Sequence, residues 1–317
     1  MIPTLQSLRF VFVMMIFMSH FSYGGIEAFQ AGGDCGVAFF FLLSGFVLSR
    51  GYGQRLRQGS FSYGQFMRRR LLKIYPLHLL CLVAVLLVSR QSLGLPVLLN
   101  ALLLQCWVPS MDFYFSCNAV SWFLSCMLFC YAVFPLAFRQ ASPRLTAVVL
   151  LGGLAVYLLV PYDRVNSILY VNPLVRFVDF YLGILLYRYL EEKPQNRLPA
   201  WVEPLLVIVL VLLLMAYPFA DEKLRNAPLY WLVLLPLIAV FAKAQGPLSR
   251  LLCCKPLLWL GTLSMPVFLI HPLTFSILTR RLPTMSYVPM LVVCFAVVVL
   301  VSWLIDKCFL RQIERFK

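Results

Sequence analysis

"RFVFVMMIFMSH", residues 9 to 20, runs through apolar and small residues from an arginine to a histidine. A run of this kind suits hydrocarbon, and nothing about it asks for a charge at either end. Arg9 and His20 are eleven positions apart. At about 100° per residue their side chains leave a helix within roughly 20° of each other, about 16 Å apart along its axis. A single polar group near a span end snorkels to the interface. Two aligned on one face point instead to a polar path inside a helix bundle.

The rest of the chain makes that first run one of many. Of 317 residues, 62% are hydrophobic and only 12% charged, where a soluble domain carries about 25% charged residues. Apolar runs long enough to cross about 30 Å of hydrocarbon recur from end to end. No polar block is long enough for a separate soluble domain, so residues 1–317 read as one integral membrane domain. The first run lacks a small-residue cleavage site after it and reads as a retained helix rather than a signal peptide.

Spans are expected near residues 5–22, 34–49, 71–89, 120–138, 145–160, 172–190, 201–219, 228–243, 256–278 and 286–306. The fold class is therefore all-α, a polytopic transmembrane bundle of about ten spans. "LPVLLNALLLQCWV", residues 95–108, is short and carries Asn100, and its status decides the topology. If it does not cross, both termini are cytoplasmic. Only Arg90, Arg164, Lys223, Arg225, Arg280 and Arg281 then fall outside, with Arg9 and Arg176 inside spans. The rest of the 27 basic residues, among them Lys193, Arg197, Arg315 and Lys317, are cytoplasmic. If it crosses, every later loop changes side. The positive-inside rule selects a re-entrant or interfacial segment.

The same rule accounts for the net charge of +15 without a nucleic-acid partner. The ten cysteines show no metal-ligand spacing, and no metal is expected; Cys106 and Cys117 flank one loop and can pair in an oxidising compartment. The stretch 50–70 reads as a basic cytoplasmic loop without an acid, ending in "RRRLLK". Arg69 and Lys73 share a helical face, and Arg70 stands about 100° away. Such a cluster suits phosphate, through the arginine fork and the mobile ammonium. Anionic lipid headgroups are the alternative ligand.

Six blocks together carry a family resemblance: "RFVFVMMIFMSH", "GVAFFFLLSGFVL", "FMRRRLLKIYP", "SWFLSCMLFCYAVFPL", "NPLVRFVDFYLG" and "LGTLSMPVFLIHP". In this order, over essentially the whole chain, they resemble the integral membrane acyltransferase-3 family of bacterial polytopic acyltransferases. The resemblance implies transfer of an acyl group, most often acetyl, from cytoplasmic acyl-CoA to a hydroxyl of a cell-surface glycan, glycolipid or related acceptor, in the bacterial cytoplasmic (inner) membrane. It implies catalytic roles for Arg9 and His20 and donor binding by Arg69, Arg70 and Lys73, with acyl-CoA as donor substrate and no metal. Two positions depart from it. Met127 stands where many members carry a glutamate five residues after the tryptophan, here Trp122, and Ala38 stands where many have an acid after "GV". Asp34, four residues earlier, is a candidate substitute.

Other polar residues are candidates for the pocket. Arg176 and Asp179, at i and i+3, read first as a structural ion pair and second as pocket lining. His271, which precedes Pro272, is either a site residue or a packed, hydrogen-bonded histidine. Ser44, Gly45 and Ser125 permit close helix approach. Besides transfer, intramembrane charges also suit a transporter or flippase of a polar lipid or sugar; against it, the chain has no internal repeat and one dominant basic stretch.

Overall fold

A computed structural model of the chain describes residues 2–24, 29–90, 92–192, 198–226 and 228–314. Lys193, Arg197, Arg315 and Lys317, counted above as cytoplasmic charges, lie outside the described residues. The described chain is built of helices, with no β-strand among its elements.

The first half comprises α1 (Pro3–His20), α2 (Gln30–Arg57), α3 (Tyr63–Ser89), α4 (Leu95–Ala101), α5 (Met111–Tyr114), α6 (Trp122–Arg139) and α7 (Pro143–Leu159). The second comprises α8 (Pro173–Glu191), α9 (Val202–Ala216), α10 (Glu222–Arg225), α11 (Pro228–Lys243), α12 (Pro247–Leu252), α13 (Lys255–Thr262), α14 (Ser264–Arg281), α15 (Tyr287–Ile305) and α16 (Arg311–Glu314). Local signals set several starts. Ser62 and Ser142 accept from the backbone N–H three residues on, and Asn172 accepts from Leu174, each meeting an orphan donor of the first turn. Pro143 and Pro173 then occupy a position whose N–H would go unused.

Six helical segments are long and apolar enough to cross a membrane: Ala31–Arg57, Tyr63–Ser89, Ala119–Arg139, Val202–Phe219, Glu222–Lys243 and Tyr287–Ile313. The α13–α14 pair, bent by 63°, makes a seventh if it is one broken span. This is a multi-pass membrane fold. The three other expected spans are also helical, and their composition explains why they stand apart. α7 has 17 residues, α1 carries Arg9 and His20, and α8 carries Arg176, Asp179, Arg188 and Glu191.

One expectation about the connections changes, and a second segment gains detail. The stretch 50–70 is mostly helix: α2 continues to Arg57 and α3 begins at Tyr63, leaving only 58–62 between them. Arginine, leucine and glutamine are good helix formers, so both helices outrun the hydrocarbon; the 28 residues of α2 extend about 42 Å. Segment 95–108 holds only the seven-residue α4 and one 3₁₀ turn. α4 rises about 10 Å, too little to cross. It meets α3 near that helix's midpoint, where Tyr75 donates to the Leu102 carbonyl and His78 contacts the Asn100 carbonyl. Asn100 is fully buried and donates to Ser116 and Ser121, while Ser125 donates to Leu103.

The core is α1, α2 and α8. A Cβ on Gly45 would strike the Phe180 carbonyl, and one on Gly183 would strike that of Leu42, so glycine at both crossings lets the two backbones touch. By contrast Leu151, Leu212 and Val292, on α7, α9 and α15, are largely exposed and form the lipid-facing shell.

Helix ends are tied in pairs. Arg57 pairs with Glu191, and Arg188 donates to Phe138 and Ala141. Thr4 donates to Phe241, and Glu203 accepts from the backbones of Gly246 and Ser249. At the opposite end Tyr23 reaches Leu282 and Pro283, and Tyr162 donates to Asp221. That donation, with the Lys223 backbone N–H, holds the Asp221 carboxyl below its ordinary range.

Candidate functional site

α1 opens at its two ends onto two different cavities. The first, of about 370 Å³, is bounded by α1, α2, α3, α6 and the α14 start. Gln6 and Arg9 line it from α1, Ser44 and Arg50 from α2, Arg70 and Lys73 from α3, and Tyr131 from α6. No carboxylate lines it among the described residues. Arg9 makes no ion pair there either.

Within "RRRLLK" the structure separates residues that the sequence grouped. Arg70 and Lys73, at i and i+3, line the cavity, and Arg69 does not. Arg69 is turned about 100° from Arg70, so the face that lines the cavity is 70/73 rather than 69/73. Arg70 donates to the Tyr52 hydroxyl at 3.3 Å and lies within 6.0 Å of the ring centres of Tyr52, Phe66 and Tyr131. Its Nε is buried without a partner. An aromatic box thus holds the guanidinium in place while leaving a donor unmet.

The second cavity, about 350 Å³, lies at the other end of α1. His20, Asp34, Tyr170 and Tyr217 line it, with Glu222, Arg225 and Asn226 from the α9–α11 connection. Tyr217 donates to Asp34 at 3.1 Å. Arg225 donates to the Pro218 and Ala220 carbonyls and lies 4.7 Å from the Tyr217 ring centre. Nδ1 of His20 is 2.9 Å from the Ile16 carbonyl. A carbonyl only accepts, so Nδ1 carries the proton and Nε2 keeps its lone pair.

The polar face expected along α1 is interrupted. Val13 and Ile16, between Arg9 and His20 on the same face, are fully buried, as are Phe12 and Phe17 beside them. His271 lies at this barrier, fully buried, its ring centre 5.1 Å from that of His20. Its Nδ1 is 3.2 Å from the Val267 carbonyl, and Nε2 has no partner.

Arg176, Asp179 and Trp122 line neither cavity. Arg176 and Asp179 pair at 3.0 Å, both fully buried. Arg176 also donates to the Tyr170 and Asn226 carbonyls, and Trp231 donates to Asp179 at 2.6 Å. Trp122 packs on Tyr170, with ring centres 4.7 Å apart. These groups brace the outer cavity wall from behind. Cys106 and Cys117 are both free thiols, and Cys106 donates to the Trp122 carbonyl. No group of three or more metal-ligating side chains occurs among the described residues.

The acyltransferase domain of the acyltransferase-3 family matches residues 2–307, nearly the whole chain. The chain belongs to this family. It is 33% identical over 157 residues to acyltransferase MdmB of Streptomyces mycarofaciens, covering 44% of this chain and 39% of that protein. It is 42% identical over 62 residues to protein 2 in the picA locus of Rhizobium radiobacter, covering 19% and 32%. The chain thus spans well under half the length of these curated relatives. No solved structure matches it.

Both departures from the family's blocks can now be located. Ala38 is buried in apolar core, while Asp34, one turn earlier, lines the cavity of His20. Met127 lines the cavity of Arg9. Tyr131 on one side, and Tyr217, Glu222, Arg225 and Asn226 on the other, escaped the reading of the sequence. The one available signal was "DEKLRN", residues 221–226, a dense charged patch between two apolar runs.

Proposed function

We propose that the chain is a membrane-bound O-acyltransferase that moves an acyl group, acetyl in the first instance, from cytoplasmic acyl-CoA to a hydroxyl of a cell-surface glycan or glycolipid. In this reading it crosses the bacterial cytoplasmic membrane ten times with both termini inside. The supporting observation is the contrast between the ends of α1: Arg9 faces a cavity with cations and, among the described residues, no acid, and His20 faces a polar cavity.

Arg70 and Lys73 hold the donor phosphates, and Arg9 holds a pantetheine carbonyl or phosphate oxygen deeper in the same cavity. The acceptor enters from the outer cavity. Its hydroxyl oxygen attacks the thioester carbonyl carbon while Nε2 of His20 takes the hydroxyl proton. The tetrahedral intermediate collapses as the C–S bond breaks. The imidazolium returns the proton to the thiolate, leaving an ester and free CoA. The apolar layer around Val13 and Ile16 supports passage of an acyl group rather than of a whole polar solute.

Mass spectrometry of surface glycans tests the activity: cells expressing the chain gain acyl esters that cells lacking it do not have. Identical glycan spectra would sink it. Impermeant labelling of single cysteines at Ser110 and Ser142 tests the topology. Opposite sidedness is expected, and same-side labelling contradicts ten spans.

A further inference from the structure

The inner cavity is lined by aromatic rings at its deep end. Along α2 its lining runs from Gly51 to Phe40, about 16 Å of helix. Arg50 lies at the shallow end and Phe40 at the deep one. On α6 the same direction leads from Tyr131 to Phe123, and on α14 from Ser264 to Phe268. Phe40, Phe123 and Phe268 therefore close the end towards His20. Ring centres are 6.3 Å apart for Phe40 and Phe123, and 5.3 Å for Phe123 and Phe268. Both pairs meet edge to face, at 75° and 66°, which is contact packing with no slot between the rings. Phe268 is 7% exposed, and its ring centre is 6.2 Å from that of His271, which in turn neighbours His20.

We infer that the aromatic layer of Phe40, Phe123 and Phe268 is the acyl-length filter of this enzyme, admitting two- and three-carbon acyl groups and rejecting longer ones, with Phe268 the residue that sets the limit. The inference rests on the reading of the inner cavity as the donor site. A donor held by its phosphates at Arg70 and Lys73 leads with its acyl group, which meets this layer before any other part. Each methylene beyond the free space must displace a ring already in contact with its neighbours. In a tight apolar site one methylene changes selectivity by roughly 10- to 200-fold. Phe268 decides because, among the described ring pairs, it is the cavity-lining ring beside His271.

The test compares acetyl-CoA, butyryl-CoA and hexanoyl-CoA with the full chain in membranes, in the parent and in Phe268→Ala and Phe268→Leu. The parent should strongly prefer acetyl-CoA. Phe268→Ala should raise the hexanoyl-to-acetyl ratio of kcat/KM at least about tenfold, with Phe268→Leu intermediate. Should transfer be too weak in a variant, competition of the same donors for binding to the purified protein reads the same ratio. A parent that uses hexanoyl-CoA as well as acetyl-CoA, or a ratio unchanged in both variants, overturns the filter. A parent that neither binds nor transfers from any of the three overturns the donor-site reading and the filter with it. That failure appears in the parent, whereas failure of the filter alone appears in ratios.

Discussion

The two ends of α1 share a helical face but not an environment. At the inner end Arg9 lines a cavity with Arg70, Lys73 and Arg50 and, among the described residues, no carboxylate. Like charges gathered this way repel unless an anion joins them, and in the proposed function the donor phosphates are that anion. At the outer end His20 meets Asp34, Glu222 and Arg225 beside Tyr170 and Tyr217. That set is mixed in sign, with hydrogen-bonding groups of both kinds, and in the proposed function it receives the acceptor hydroxyl. One helix thus lines a cation-rich cavity and a cavity of mixed sign, with packed apolar side chains between them.

The largest effect expected from breaking this contrast is on rate. His20→Gln keeps a polar side chain but removes the base, and transfer should fall by roughly 10²–10⁴-fold. Acyl transfer in membranes measures it. Near-normal turnover would mean that His20 only rests at the interface.

A second effect is on stability. Asp179→Asn removes the charge that Arg176 faces in a fully buried site, and losing one member of such a pair costs about 3–5 kcal/mol. Thermal unfolding should shift down markedly, while donor titration of the folded fraction should change little. An unchanged melting temperature would show that the Tyr170, Asn226 and Trp231 contacts suffice alone.

A smaller effect sharpens the inner end. Arg70→Ala should weaken acyl-CoA binding about tenfold or more, a charge-assisted contact being worth roughly 1.5–3 kcal/mol. Arg69→Ala, outside the cavity lining, should change it much less. Equal losses at both positions would restore the 69/73 face and undo the cavity assignment.

Much of this was legible in the chain before any coordinates. Apolar runs mark where helices lie, because hydrocarbon demands about 20 such residues. The 3.6-residue period alone puts Arg9 and His20 on one face. What stayed hidden depends on neighbours distant in sequence. The helical ends of α2 and α3 were lost among arginines, since hydropathy reports lipid exposure and not helix formation. The choice of Arg70 over Arg69 depends on where Tyr52 and Tyr131 stand. The outer cavity joins Asp34 to Tyr217, 183 positions away, and no local pattern announces that contact. Interruption of the α1 face by Val13 and Ile16 was visible as letters, yet only packing shows that it stands between two cavities.

The division between the two ends is tested most directly by acetyl-CoA titration of purified Arg9→Ala and His20→Gln, side by side with the parent. Arg9→Ala should lose about tenfold or more in donor affinity, while His20→Gln should bind donor as the parent does although it no longer transfers. Equal loss of donor binding in both variants would contradict two separate sites on α1.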